Sequence, residues 1–217
     1  MRKKEPFKSD SDAAYTPPPN LILVGDSHIV RGNIFIIAGP PGVGKSRASI
    51  GLALAGGLKV QWFGLETHFE FRTLIIQSEN SRFRLKQEFT EINKPELENH
   101  LMICPSPPYG LRFSKSEFRD QLRRLAEEYG PQLLILGAWE AIASEDRMRD
   151  YREAFDAIAE VFRLGNDEGP AIGIVAHTRK PIASERANAR TPLNLLTGSC
   201  VLSDMSRCVF HYAERFG

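Results

Sequence analysis

The chain has 217 residues, with 28 Lys plus Arg against 27 Asp plus Glu and 42% hydrophobic residues, a balance that fits one α/β domain with a buried core and excludes a mostly disordered chain. No apolar run approaches the roughly 20 residues that span a bilayer, and the basic start Met1-Arg2-Lys3-Lys4 leads into polar residues instead of an apolar signal core, so the expectation is a cytoplasmic protein with no membrane partner. Cys104, Cys200 and Cys208 are an odd set without a CxxC pair, which argues for buried thiols and against a disulfide framework or a zinc site.

Residues 1–19 are rich in charge, Ser, Asp and Pro and end in Pro17-Pro18-Pro19, a composition that cannot bury enough surface to fold alone. They are expected to form a flexible strap, with residues 20–217 as the core. Short β-type runs then alternate with segments of helical period, the pattern of a mainly parallel twisted sheet with helices on both faces. The expected strands are Asn33 to Ala38, Thr73 to Ser78, Leu101 to Cys104, Gln132 to Leu136, Ala171 to Ala176 and Cys208 to Tyr212. A first helix should begin within the Gly-rich segment at 39–46 and run through Ala48, Leu52 and Ala53 until Gly56-Gly57 stops it. A second should run from Ser81 to Ile92, a third from Ser116 to Glu128 with Phe118, Leu122 and Leu125 on one face, and a fourth from Asp150 to Phe162 with Ala154, Phe155, Ile158 and Phe162 on one face. Lys180 to Met205 reads as a loop followed by a helix.

Gly39-Pro40-Pro41-Gly42-Val43-Gly44-Lys45-Ser46 fits GxxxxGK[ST] between an apolar β-run and a helical pattern, the context that this phosphate-binding loop requires. Its glycines let successive backbone N–H groups turn inward, and the helix start adds partial positive charge. The expected ligand is Mg-ATP, held by residues 39–46 and Arg47. Lys45 should reach the β- and γ-phosphates, and the Ser46 hydroxyl should ligate Mg²⁺.

Gln77-Ser78-Glu79-Asn80 follows the second strand, at the sheet edge where ligands gather. Glu79 is the candidate general base for attack of water on the γ-phosphate; the same residue also fits a helix-capping acid, and the residues alone leave the two open. After Leu133-Leu134-Ile135-Leu136, where an ATPase of this class carries an Asp, stands Gly137. Glu140, Glu145 and Asp146 are the nearby carboxylates that a folded-back loop would bring in. His177, at the end of Val175-Ala176-His177-Thr178, is the candidate γ-phosphate sensor or a plain surface residue at a strand end.

In this order the motifs resemble the RecA-like ATPases of the RepA and DnaB helicase type, and more closely the small phage- and plasmid-associated AAA family ATPases. The resemblance covers residues 20–213 and rests on the phosphate loop, Gln77-Ser78-Glu79-Asn80, the hydrophobic run before Gly137, His177-Thr178-Arg179-Lys180, and Leu195-Leu196-Thr197-Gly198-Ser199. It implies Glu79 as catalytic base and His177 as coupling residue. It implies a homo-oligomer with a hexameric ring as candidate form, single-stranded DNA as partner through Lys180, Arg186 and Arg190, and Arg207 as a candidate arginine donated to a neighbouring subunit. Gly137 departs from the pattern and bears on whether ATP is turned over or held. A nucleotide-binding regulatory or scaffold protein without hydrolysis, and a small-molecule kinase, stand as alternatives.

Overall fold

The computed structural model describes residues 16–78, 83, 95–105, 111–142, 147–162, 164–165, 167–178 and 206–212. A small antiparallel hairpin, β1 (Ile22–Val24) with β2 (Ile29–Val30), precedes the main sheet. The sheet is built from β3 (Ile34–Gly39), β4 (Thr73–Gln77), β5 (Leu101–Pro105), β6 (Leu133–Gly137), β7 (Ala171–His177) and β8 (Cys208–His211). Its order is β5-β4-β6-β7-β3-β8, and every pairing is parallel. The six expected strands are all present, each shifted by no more than a residue or two at its ends.

Parallel strands covered on both faces read as continuous apolar runs. Alternate side chains of β3 divide between the two faces. Ile34, Ile36 and Ala38 face one core with Leu74, Leu134 and Ile174, against Phe118 and Leu122 of α2 (Ser116–Tyr129) and Phe155 and Ile158 of α3 (Arg147–Phe162). Phe35 and Ile37 face the other, with Ile75, Ile135 and Val175, against Ile50, Leu52 and Ala53 of α1 (Lys45–Leu58), the hairpin, Trp62 and Phe71. Full burial of a side chain such as Phe155 or Leu52 contributes about 1.5–3 kcal/mol, and both are completely buried.

Gly56 and Gly57 do not stop α1, as the sequence led us to expect; they lie inside it. A β-carbon at Gly56 would come within 2.1 Å of the Phe71 ring, and one at Gly57 within 2.8 Å of Leu97, so these glycines admit neighbours instead of breaking the helix. The helix ends at Lys59, at φ +50°, whose N–H returns to the Ala55 carbonyl. Helix α3 starts at Arg147, three residues before the expected Asp150. Cys104 and Cys208 are free thiols, partly and not fully buried, and burial pushes both up from the usual thiol range.

Residues 1–15 of the expected strap at 1–19, the helix at Ser81 to Ile92 apart from Phe83, and the stretch from Lys180 to Met205, with Cys200, lie outside the described residues. No helix among the described residues is long and apolar enough to cross a membrane.

Candidate functional site

The segment Gly39–Ser46 leaves the C-terminal end of β3, between β7 and the edge strand β8, and turns directly into α1. Gly42 and Gly44 sit at φ +84° and +91°, with open space where a β-carbon would be; the need for glycine here is conformational, not steric. Lys45 is the first residue of α1 and is 5% exposed. Its ammonium bends back over the loop and donates to the carbonyls of Gly39 (2.9 Å) and Pro40 (2.8 Å). A buried ammonium needs such partners. Pro41 and Arg47 are exposed beside it.

On one side of β3, β7 pairs through Gly39 opposite His177, and the Thr178 N–H donates to the Gly39 carbonyl (3.1 Å). The same carbonyl therefore receives Lys45 and Thr178, so the first loop residue is tied both to the lysine and to the strand end that carries His177. β4 pairs with β6 as far as Gln77 opposite Gly137, but β6 and β7 stop pairing at Leu136 opposite Ile174. The short 3₁₀ turn Trp139–Ile142 crosses above that opening. From it Glu140 reaches β7: one carboxylate oxygen accepts the His177 backbone N–H (2.6 Å), and the other lies 3.2 Å from His177 Nδ1, not aligned as a hydrogen bond. Of the three carboxylates named as stand-ins for the missing Asp, Glu140 does fold back, but onto β7; Glu145 and Asp146 lie outside the described residues.

Ser46, Gln77 and Gly137 meet in one small cavity of about 20 Å³, walled by Ile50, Ile75, Ile135 and Val175. A β-carbon at Gly137 would lie 3.2 Å from Val175 Cβ, hence on the face that borders this cavity. Ser78 closes the same corner: its N–H donates to the Gly137 carbonyl (2.9 Å), and its hydroxyl accepts the Ala138 N–H (3.3 Å). The next residue, Glu79, lies outside the described residues together with Asn80, Arg179, Lys180, Arg186, Arg190 and 195–199. Arg207 is exposed, and its N–H donates to the Ile34 carbonyl. That is the N-terminal edge of the sheet, opposite this chain's own phosphate loop.

Among the described residues no group of three or more His, Cys, Asp or Glu is placed to hold a metal. Magnesium in nucleotide sites takes one or two protein ligands and completes its shell with phosphate oxygens and water. The Ser46 hydroxyl at the start of α1, bordering the cavity, fits a metal of that kind, one that arrives with the phosphates.

The other side of β3 carries a feature that the sequence did not single out. Tyr212, just past β8, donates its N–H to the Ala38 carbonyl (2.8 Å), and its own carbonyl lies 2.7 Å from where a Gly39 β-carbon would be. Phe63 packs edge-on against Tyr212, with ring centres 5.8 Å apart. Burial pushes the Tyr212 hydroxyl up to about 12, so it stays neutral at ordinary pH. The only sequence signal was a pair of aromatics far apart in the chain, which no local pattern joins.

A profile of the family described as AAA domain matches residues 2–183. No curated protein matches the sequence. Among solved structures, a KaiC-like protein from the hyperthermophilic archaeon Pyrococcus horikoshii OT3 aligns with a TM-score of 0.57 over 87% of this chain and 74% of its own, at 14% identity. At that identity the likeness shows the fold alone, the RecA-like parallel sheet with its helices.

Proposed function

The chain belongs to the AAA domain family, with the fold and the loop of a P-loop ATPase, and from that premise we propose that it hydrolyses Mg-ATP to drive DNA handling of the helicase or helicase-loader kind. The observation that carries the reading is the buried Lys45 ammonium, which spans the loop carbonyls at the C-terminal end of β3. Carbonyl oxygens accept from it here; phosphate oxygens, which bear full charge, form stronger hydrogen bonds with an ammonium. The open Gly42 and Gly44 backbone and the N-terminus of α1 supply the rest of an anion site.

In this reading ATP lies with its phosphates along residues 39–46 and Arg47. Lys45 neutralises charge on the β- and γ-phosphates, and Glu79 takes the proton of the attacking water as the bond to the γ-phosphorus forms and the bond to the ADP oxygen breaks. Bound magnesium, held by Ser46, would supply further charge neutralisation at the phosphates. His177 reads the γ-phosphate: its strand end shares the Gly39 carbonyl with Lys45, so a phosphate that draws Lys45 away alters the bonding of that carbonyl. Glu140 holds the His177 backbone and ring in place. The strap at 1–19, a homo-oligomer of hexameric ring form, Arg207 donated to a neighbour, and single-stranded DNA bound through Lys180, Arg186 and Arg190 complete the proposal on the strength of the resemblance.

A second reading has a specific observation in its favour. Gly137 leaves the cavity beside Ser46 without the carboxylate that an ATPase of this class places there, which favours a protein that holds ATP as a switch. Phosphate release from Mg-ATP, with and without single-stranded DNA, separates the two. Turnover that DNA stimulates and Glu79→Gln abolishes supports the motor; nucleotide binding with no phosphate released under either condition supports the switch.

A further inference from the structure

Phe63 is 70% exposed and holds a backbone φ of +48°. A bulky residue rarely adopts that conformation, and a ring this exposed adds little burial beyond its edge contacts with Trp62 and Tyr212. Such outliers persist where the surroundings impose them, and they gather at ligand sites. The turn around Phe63 is built with care. Trp62 and Leu65 exchange both backbone hydrogen bonds (3.0 and 2.9 Å), Gly64 follows at φ +80°, and the Trp62 indole donates to the Ala48 carbonyl of α1 (3.1 Å). The exposed ring is thus pinned to the helix that the phosphate loop starts, and its edge-on partner Tyr212 presses its backbone against Gly39.

A nucleoside triphosphate is a rod with a charged end and a flat end. Among the described residues, His177, Glu140, Gln77 and the cavity beside Ser46 lie on the β7, β6 and β4 side of the loop, so the charged end points that way; on the β8 side stands His211, opposite Ala38. The flat end then leaves the loop on the β8 side, where Phe63 and Tyr212 stand. Resting on the nucleotide reading above, we infer that Phe63 and Tyr212 form a stacking platform for the base of the nucleotide whose phosphates occupy the Gly39–Ser46 loop. The platform offers ring faces and edges and, with a neutral Tyr212, sets no negative charge beside the phosphates.

The test is calorimetric titration of the full chain with Mg-ATP and, separately, with magnesium tripolyphosphate, which has the charged end and no base. Phe63→Ala removes a side chain that is mostly outside the core, and Phe63→Trp keeps an aromatic face. Phe63→Ala should weaken Mg-ATP about tenfold, the scale of one lost base–aromatic stack, and leave tripolyphosphate within about twofold; Phe63→Trp should retain ATP affinity. Unchanged ATP affinity in Phe63→Ala, or equal loss for both ligands, overturns the platform while the phosphate site stands. Wild-type protein that binds neither ligand overturns the nucleotide reading and the platform with it.

Discussion

Strands β7 and β8 flank the same strand and reach the same loop, yet they bring different chemistry to it. On the β7 side the backbone of Thr178 ties to Gly39, and Glu140 crosses from the neighbouring turn to grip His177. On the β8 side Tyr212 packs its backbone against Gly39, and an exposed aromatic turn stands next to it. A loop between a polar flank and an aromatic flank can orient a long ligand, because each end finds an environment suited to only one of its parts. The arrangement also explains how a site lacking the Asp at 137 can remain organised: the polar flank is braced from Glu140, one turn further along the chain.

Two substitutions on the polar flank sharpen this contrast. The larger effect is expected from Glu140→Gln. The uncharged amide can still accept the His177 backbone N–H, but the carboxylate oxygen beside the ring is replaced. Turnover should fall about tenfold, about 1.4 kcal/mol on the barrier, while Mg-ATP affinity changes little. Nitrogen NMR should show the His177 ring signals shifting as the group beside the ring changes. If turnover falls with no change in the ring signal, Glu140 acts on the turn and not on the histidine.

Gly137→Asp should act in the opposite direction and less strongly. Its carboxylate would enter the cavity that Ser46 and Gln77 border, with Val175 giving way by a few tenths of an ångström. Phosphate release should rise severalfold, about 1 kcal/mol off the barrier. Gly137→Ala adds the same β-carbon without the charge and should give no rise. Equal behaviour of the two variants would show that the missing carboxylate does not limit this site.

The parts legible in the sequence are those whose physics is local. The phosphate loop declared itself because glycines at 39, 42 and 44 with Lys45-Ser46 fix a backbone path within eight residues. The six sheet strands were legible because strands buried on both faces need unbroken apolar runs. The hairpin was not, since Ile22–Val24 and Ile29–Val30 are too short to show alternation. Gly56 and Gly57 were misjudged because the need for small residues comes from Phe71 and Leu97, which reach α1 only in the folded chain. Of the site, Glu140 was named among three equivalent carboxylates, and only the crossing of the Trp139–Ile142 turn over the gap between β6 and β7 selects it. Phe63 and Tyr212 went unnoticed, since only the sheet order brings the end of β8 beside the turn after α1.

The central claim is that Gly39–Ser46 holds nucleotide phosphates through Lys45. Titration of the wild-type chain and of Lys45→Ala with Mg-ATP tests it most directly. The account predicts saturable binding by the wild type and a loss of about a hundredfold or more in the variant, whose circular dichroism remains that of the folded protein. Equal affinity in the two proteins would contradict it.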